Sequence, residues 1–296
     1  MTSFKRISIV LFACAVLLAG ITGGIHMIGR DSKPPVFSMD SDTIRMRVSD
    51  GETGMLSGIT ASDDADGDVT DSILIEGISP FTDDGYRVVN YAVSDSAGNV
   101  SHTSRKLYYT DYTSPRIVMN APLSFPLNAT DLLAGIKAED CIDGDISSDI
   151  TINSKIPVVS SNVGCYEVCL EVCNSAGDWS RINATLEIYD SSEKAVKPQI
   201  GLSDYLVYVD QGAEFNEMDY VRSITIQGNE YTPVKGKGAY GTEKEGKTIG
   251  YDRITVLSTV DTKTPGCYEV TYSLNDTVTN TGTGTVRLIV VVTEGE

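Results

Sequence analysis

"GCYEVCLEVCNSAGD" occupies residues 164–178, and its period of two decides the fold. Tyr166, Val168, Leu170 and Val172 fall on one face, and Cys165, Glu167, Cys169, Glu171 and Cys173 on the other. Side chains of a strand alternate between faces, so the pattern predicts a strand half-buried against a second sheet. The phrase returns as "GCYEVTYSLND" at 266–276, and "GYRVVNYAVSDSAGN" at 85–99 lies over 164–178 without a gap. A second motif precedes the first two copies. "MLSGITASDDADGDVT" (55–70) lies over "LLAGIKAEDCIDGDIS" (132–147) with eight of sixteen positions identical, Asp63/Asp140 and the Asp-Gly-Asp run among them. Self-similarity at a period of roughly 80–100 residues means tandem modules, each long enough for its own core.

Each copy opens at a proline, Pro34-Pro35, Pro115 and Pro198, which places the modules at 34–111, 114–190 and 197–294. The third is divergent: it lacks the Asp-Gly-Asp loop, and "TNTGTGT" (279–285) replaces the Ser-Ala-Gly-Asn turn. The polar, Pro-ended stretches "TDYTSP" and "YDSSEKAVKP" read as linkers. Without an acidic loop, the junction into the third module is expected to be the flexible one. Short alternations such as "RIVMN", "ITINS" and "ATLEIY" recur between Asn, Asp, Gly and Ser breaks, and no helical periodicity is sustained beyond residue 30. The predicted class is all-β, three tandem antiparallel sandwiches behind an N-terminal transmembrane helix.

That helix is read in residues 1–30. Lys5 and Arg6 precede an apolar run from Ile7 to Gly29, and such a run covers a bilayer core of about 30 Å. The expectation is a single uncleaved span, with the strand-rich modules outside the cell; secretion after signal cleavage, at "LLAGITGG" (17–24), is the alternative. None of the 41 acidic residues and three of the 23 basic ones precede residue 31, leaving 20 basic against 41 acidic beyond it, a net charge of −21. That charge repels nucleic acid and anionic headgroups, so nucleic acid is not an expected partner.

The two motifs, in order and at this separation, resemble the bacterial immunoglobulin-like repeat of Gram-positive surface proteins and some pesticidal crystal proteins. The resemblance covers most of 34–190, and "FNEMDYV" (215–221) extends it into the third module. It implies a non-catalytic extracytoplasmic adhesion or spacer module, with a surface protein or glycan as partner. The alternative is a ligand-sensing or carbohydrate-binding ectodomain with the third module as its head.

Catalytic chemistry has little to stand on. The histidines are His26, within the apolar run, and His102, with no nucleophile or carboxylate signalled beside it. Paired CxxC zinc spacing is absent from the sequence. The metal-like stretch is "DDADGDVT" (63–70): Asp64, Asp66 and Asp68 alternate around a glycine, and oxygen ligands of this kind suit Ca²⁺. Because the Asp-Gly-Asp loop and the "DSAGN" turn (95–99) are expected at one pole of the sandwich, Asp95 joins that group, and Asp143 and Asp145 form its counterpart in the second module. The bland reading is that Asp favours such turns for its own hydrogen bonds. Cys165, Cys169 and Cys173 stand four apart on one strand, about 13 Å between neighbours, too far to bridge one another. Cys141 and Cys173 replace Asp64 and Ser94 of the first copy in loops expected to meet, which predicts a disulfide between them. Finally, Lys235, Lys237, Tyr240, Lys244 and Lys247 make a Gly-rich basic loop, a candidate binding loop against the plainer reading of a hairpin insertion.

Overall fold

The computed structural model describes residues 31–242, 246–276 and 282–294, together with Val16. The span expected at 7–29 and Lys244 lie outside the described residues; among those described, no helix is long and apolar enough to cross a membrane. The chain divides into two compact units, one ending at Tyr112 and the other beginning at Thr113.

The first unit carries β1 (Val36–Met39), β2 (Thr43–Met46), the short helix α1 (Gly51–Met55), β3 (Ile59–Asp63), β4 (Gly67–Asp68), β5 (Leu74–Ile78), β6 (Arg87–Ser94) and β7 (Val100–Tyr109). They form two sheets, ordered β1-β3-β4 and β2-β7-β6-β5. Alternation supplies the core between them: Val89, Tyr91 and Val93 of β6 point inward with Ile59 and Ala61 of β3, Ile44 of β2 and Leu107 of β7. The Tyr91 hydroxyl donates to the Met55 carbonyl at 2.7 Å, so the one polar atom of that ring is satisfied.

The second unit begins with the same plan. Its strands β8 (Arg116–Met119), β9 (Ser124–Pro126), β10 (Ile136–Asp140), β11 (Gly144–Asp145), β12 (Thr151–Asn153), β13 (Gly164–Cys173) and β14 (Trp179–Tyr189) form sheets β11-β10-β8 and β12-β13-β14-β9. In both repeats the second strand runs parallel to the last, β2 with β7 and β9 with β14. After the helical turn α2 (Ser191–Val196) come β15 (Gln199–Leu202), β16 (Leu206–Asp210), β17 (Val221–Ile226), β18 (Asn229–Val234), β19 (Ala239–Gly241), β20 (Thr248–Gly250), β21 (Ile254–Ser258), β22 (Gly266–Asp276) and β23 (Gly282–Thr293). These pair as β15-β17-β18-β19-β20 and β16-β23-β22-β21, with β16 again parallel to the last strand. The recurring phrase thus opens β13 and β22, each the penultimate strand of its sandwich and each paired antiparallel with the last. In the first repeat the looser version ends in β6, which pairs with β7 in the same way.

The junction inside the second unit is packed, which corrects the flexible joint expected there. Leu206 and Ile289 are buried in the same cluster as Ile117, Leu170 and Ile188 of the preceding sandwich. The Tyr208 hydroxyl accepts from the Ile117 N–H at 3.0 Å and donates to the Ile117 carbonyl at 3.1 Å, and the Arg116 guanidinium stacks over its ring. The supposed linker is the capped turn α2: the Asp190 carboxylate accepts from the Ser192 N–H, and Lys194 reaches back to Ser124 Oγ and Glu187. The physical reason lies in β23. Leu288, Val290 and Val292 face their own core, while Ile289 and Val291 face the neighbouring sandwich, so this strand is apolar on both sides.

Candidate functional site

The pole of the first module is built by two loops that answer each other. In β3, Ile59, Ala61 and Asp63 share the inward phase, so the strand delivers a carboxylate to the end of the core. Asp63 Oδ1 accepts from the Ala65 and Asp66 N–H groups at 2.9 and 3.0 Å, closing the turn; Gly67 then takes a φ of +77°, which a side chain disfavours. Asp66 reaches across and accepts from Ser96 N–H and Oγ at 2.7 and 2.8 Å. The Asp-Gly-Asp loop and the Ser-Ala-Gly-Asn turn do meet. In the second unit Asp143 holds Ser175 in the same way, at 2.6 and 2.7 Å.

Between these loops three carboxylates converge: Asp31, Asp63 and Asp95 each place an oxygen within 4.8 Å of the other two. Asp63 and Asp95 are both 8% exposed. Asp95 is held below the ordinary carboxylate range; burial opposes this, but hydrogen bonds from the Asn99 side chain and the backbone of Asn99, Gly98 and Ala97 outweigh it. Asn99 Nδ2 also donates to the Asp31 and Lys33 carbonyls at 3.3 Å, which fastens the leading segment to the pole. Asp63 Oδ2 and Asp31 Oδ2 are buried and lack a hydrogen-bond partner among the described residues. The cation in reach, Lys33, is paired with the exposed Asp64.

The expected metal ligands therefore sort differently. Asp95 belongs to the converging group. Asp64 is taken by Lys33, Asp66 by Ser96, and Asp68 closes its own turn on the Thr70 N–H. Asp143 and Asp145 are taken by Ser175 and Ser147. Asp31 and Asp63, which complete the converging group, were not among the expected ligands. For Asp63 the signal was available, because it sits in phase with Ile59 and Ala61, whereas Asp64 alternates outward. Asp31, outside both motifs, had none.

The second repeat resolves the same pole differently. Asn174 stands where the first repeat has Asp95, and its Nδ2 donates to Asp140 Oδ2 at 3.0 Å. Asp140 Oδ1 still accepts from the Ile142 and Asp143 N–H groups. The loops meet here through Asp140 and Asn174 rather than through a disulfide. Cys141 and Cys173 are free thiols: Cys141 donates to the Thr113 carbonyl, and Cys173 to that of its neighbour Asn174.

The basic loop loses its aromatic member. Tyr240 is 1% exposed, packed on Tyr251, with its hydroxyl donating to the Val221 carbonyl. Lys235 and Lys237 are exposed at the tip between β18 and β19, and Lys247 flanks β20. His102 lies on β7 with Nδ1 2.9 Å from Glu76, both exposed. Elsewhere, a cleft of about 460 Å³ between the two sandwiches of the second unit is lined by Ser124, Cys165, Glu187, Lys194, Tyr205 and Arg287. Its charges are already committed, Lys194 to Glu187 at 3.5 Å and Arg287 to Glu269 at 3.1 Å.

No protein-family model matches the chain. It is similar to an uncharacterized 81.3 kDa protein of Acholeplasma phage L2, 33% identical over 187 residues, 63% of this chain and 22% of that protein. It is also similar to the pesticidal crystal protein Cry22Aa of Bacillus thuringiensis, 26% identical over 272 residues, 90% of this chain and 34% of that protein. The chain thus spans about a fifth and a third of the curated relatives it matches. Among solved structures, the CBM51-2 and INT domains of ZmpB from Clostridium perfringens, in complex with GlcNAc, align over 50% of this chain and 26% of that one at 18% identity and a TM-score of 0.21. The lipoprotein BT2262 of Bacteroides thetaiotaomicron aligns over 59% of this chain and 98% of that one at 13% identity and a TM-score of 0.22. Likenesses this loose carry no functional argument.

Proposed function

We propose that the chain is a membrane-anchored, extracytoplasmic adhesion or spacer protein built of three immunoglobulin-like repeats, and that it is non-catalytic. The observation that carries this reading is the junction within the second unit. Leu206, Tyr208 and Ile289 dock one sandwich on the next, and Lys194 and Arg287 in the cleft beside them are paired with Glu187 and Glu269. Such packing holds modules at a fixed spacing, which is a mechanical role. A ligand-binding head would instead keep uncommitted polar groups in its cleft, and burial of Tyr240 removes the aromatic anchor of the one candidate loop. The apolar run at 7–29 supplies the anchor, and the net charge of −21 beyond it suits a hydrated exterior. Binding to a surface protein or glycan would then be made by exposed strand and loop surface.

Protease treatment of intact cells tests the arrangement. Residues 31–296 are expected to be lost while cytoplasmic proteins survive. Modules that resist digestion until the membrane is broken would overturn the orientation.

A further inference from the structure

We infer that Asp31, Asp63 and Asp95 form a calcium site at the pole of the first module. The second repeat provides the internal comparison. There the Asp140 Oδ2 atom accepts a hydrogen bond from the Asn174 amide N–H at 3.0 Å, and the pole is satisfied by protein alone. In the first repeat the amide is replaced by the Asp95 carboxylate, which has no proton to give. The equivalent atom, Asp63 Oδ2, is left buried and without a partner in a residue 8% exposed. An unsatisfied buried carboxylate oxygen is costly, and three carboxylates in one place repel each other. Asp31 adds a second orphaned oxygen to the same place.

A cation answers both costs. Lys33 is spent on Asp64 at the surface, so among the described residues no cation is left facing the three carboxylates. The donors are all hard carboxylate oxygens, the class that binds Ca²⁺ or Mg²⁺ rather than zinc or copper. Oxygens around one Ca²⁺ at about 2.3–2.6 Å lie up to roughly 5 Å apart, whereas a Mg²⁺ shell at about 2.0–2.1 Å is tighter. The three oxygens all lie within 4.8 Å of one another, inside the reach of one Ca²⁺ shell, and Ca²⁺ accepts irregular oxygen geometry where Mg²⁺ demands a near-ideal octahedron. Because Asp31 precedes β1, the ion ties the leading segment to the pole that the Asn99 amide already grips. This inference stands apart from the adhesion or spacer reading and does not depend on it.

The test is calorimetric titration of the chelator-stripped full-length chain with CaCl₂, with MgCl₂ in parallel, and thermal melts in both. Wild type is expected to bind one Ca²⁺ and to raise the melting of its first unit by about 3 °C or more at saturation. Asp95→Asn restores the amide arrangement of the second repeat, so it is expected to fold, judged by circular dichroism, and to lose the Ca²⁺ response. Asp31→Asn, outside the sandwich core, is expected to weaken binding at least tenfold. Absence of heat and of a melting shift at millimolar Ca²⁺, or a folded Asp95→Asn that binds like wild type, overturns the site. Equal affinity for Mg²⁺ overturns the choice of ion.

Discussion

At the scale of single residues, neighbours of identical type differ because strand phase sends them to different solvents. Asp63 and Asp64 are adjacent, yet one is sealed at the end of a core and the other is an exposed partner of Lys33. The cysteines divide in the same way. Cys141 and Cys165 are exposed, whereas burial in the junction pushes the Cys267 thiol up to about 11, with its Sγ donating to the Asn183 carbonyl at 2.9 Å. Burial also raises Cys169 and Cys173. A thiolate is the species that reacts with alkylating reagents, and a thiol near 11 is ionised to only about one part in a thousand at pH 8. Timed iodoacetamide labelling at that pH, read by peptide mass spectrometry, is expected to modify Cys165 and Cys141 first and Cys267 last. Equal rates at Cys165 and Cys267 would contradict the packed junction. Protection of Cys141 and Cys173 together, lifted by reductant, would restore the disulfide that the structure does not form.

Among the elements, β23 decides how the second unit is assembled. Its run Leu288-Ile289-Val290-Val291-Val292 has no polar face, the pattern of a strand covered on both sides. That signal was legible in "RLIVVV" (287–292), which lies outside the motifs shared with the other repeats, and this divergent strand carries the contact. Backbone approach adds to the constraint: a Cβ on Gly284 would lie 1.6 Å from the Pro198 carbonyl oxygen, so only glycine lets β23 pass the start of the last module. Ile289→Ala is expected to cost about 2–4 kcal/mol by opening a cavity between the sandwiches. Ile289→Asp is expected to undock them, because it places a charge in an apolar contact. Hydrogen exchange at the Ile117 amide reports this directly, since that N–H is bonded to Tyr208 across the junction. Exchange as slow in Ile289→Asp as in wild type would show that the contact is held by other residues.

For the whole molecule, the alternating strands and the two motifs were enough to place sheets and loops, because both depend on local period and turn chemistry. Which oxygens converge was not legible, because Asp31 reaches the pole from outside the motifs, and only the folded chain brings it beside Asp63 and Asp95. Global charge sets a further expectation. The net charge of −18 at pH 7, with a pI near 4.4, opposes compaction by self-repulsion. Lowering the pH from 7 toward about 5 begins to discharge ordinary carboxylates, and in chelator this relief is expected to raise the melting temperature slightly. Several aspartates act in the opposite sense. Asp68 is held low by the Thr70 side chain and backbone, Asp145 by Ser147, Asp190 by Ser192, and Asp261 by the Lys263 backbone and Thr264. A carboxylate whose folded value is depressed contributes stability above its unfolded value of about 3.9 and loses it as the pH falls through the folded value. Stability is therefore expected to pass through a maximum near pH 5 and to drop below about pH 4. Adding 0.5 M NaCl shortens the screening length to roughly 4–5 Å, which flattens the rise between pH 7 and 5 and leaves the acid limb, made by short hydrogen bonds, in place. Thermal melts across pH 3–8 at two salt concentrations distinguish the two contributions. A monotonic fall from pH 7 downward, unchanged by salt, would show that self-repulsion is already neutralised by the chain's own ion pairs.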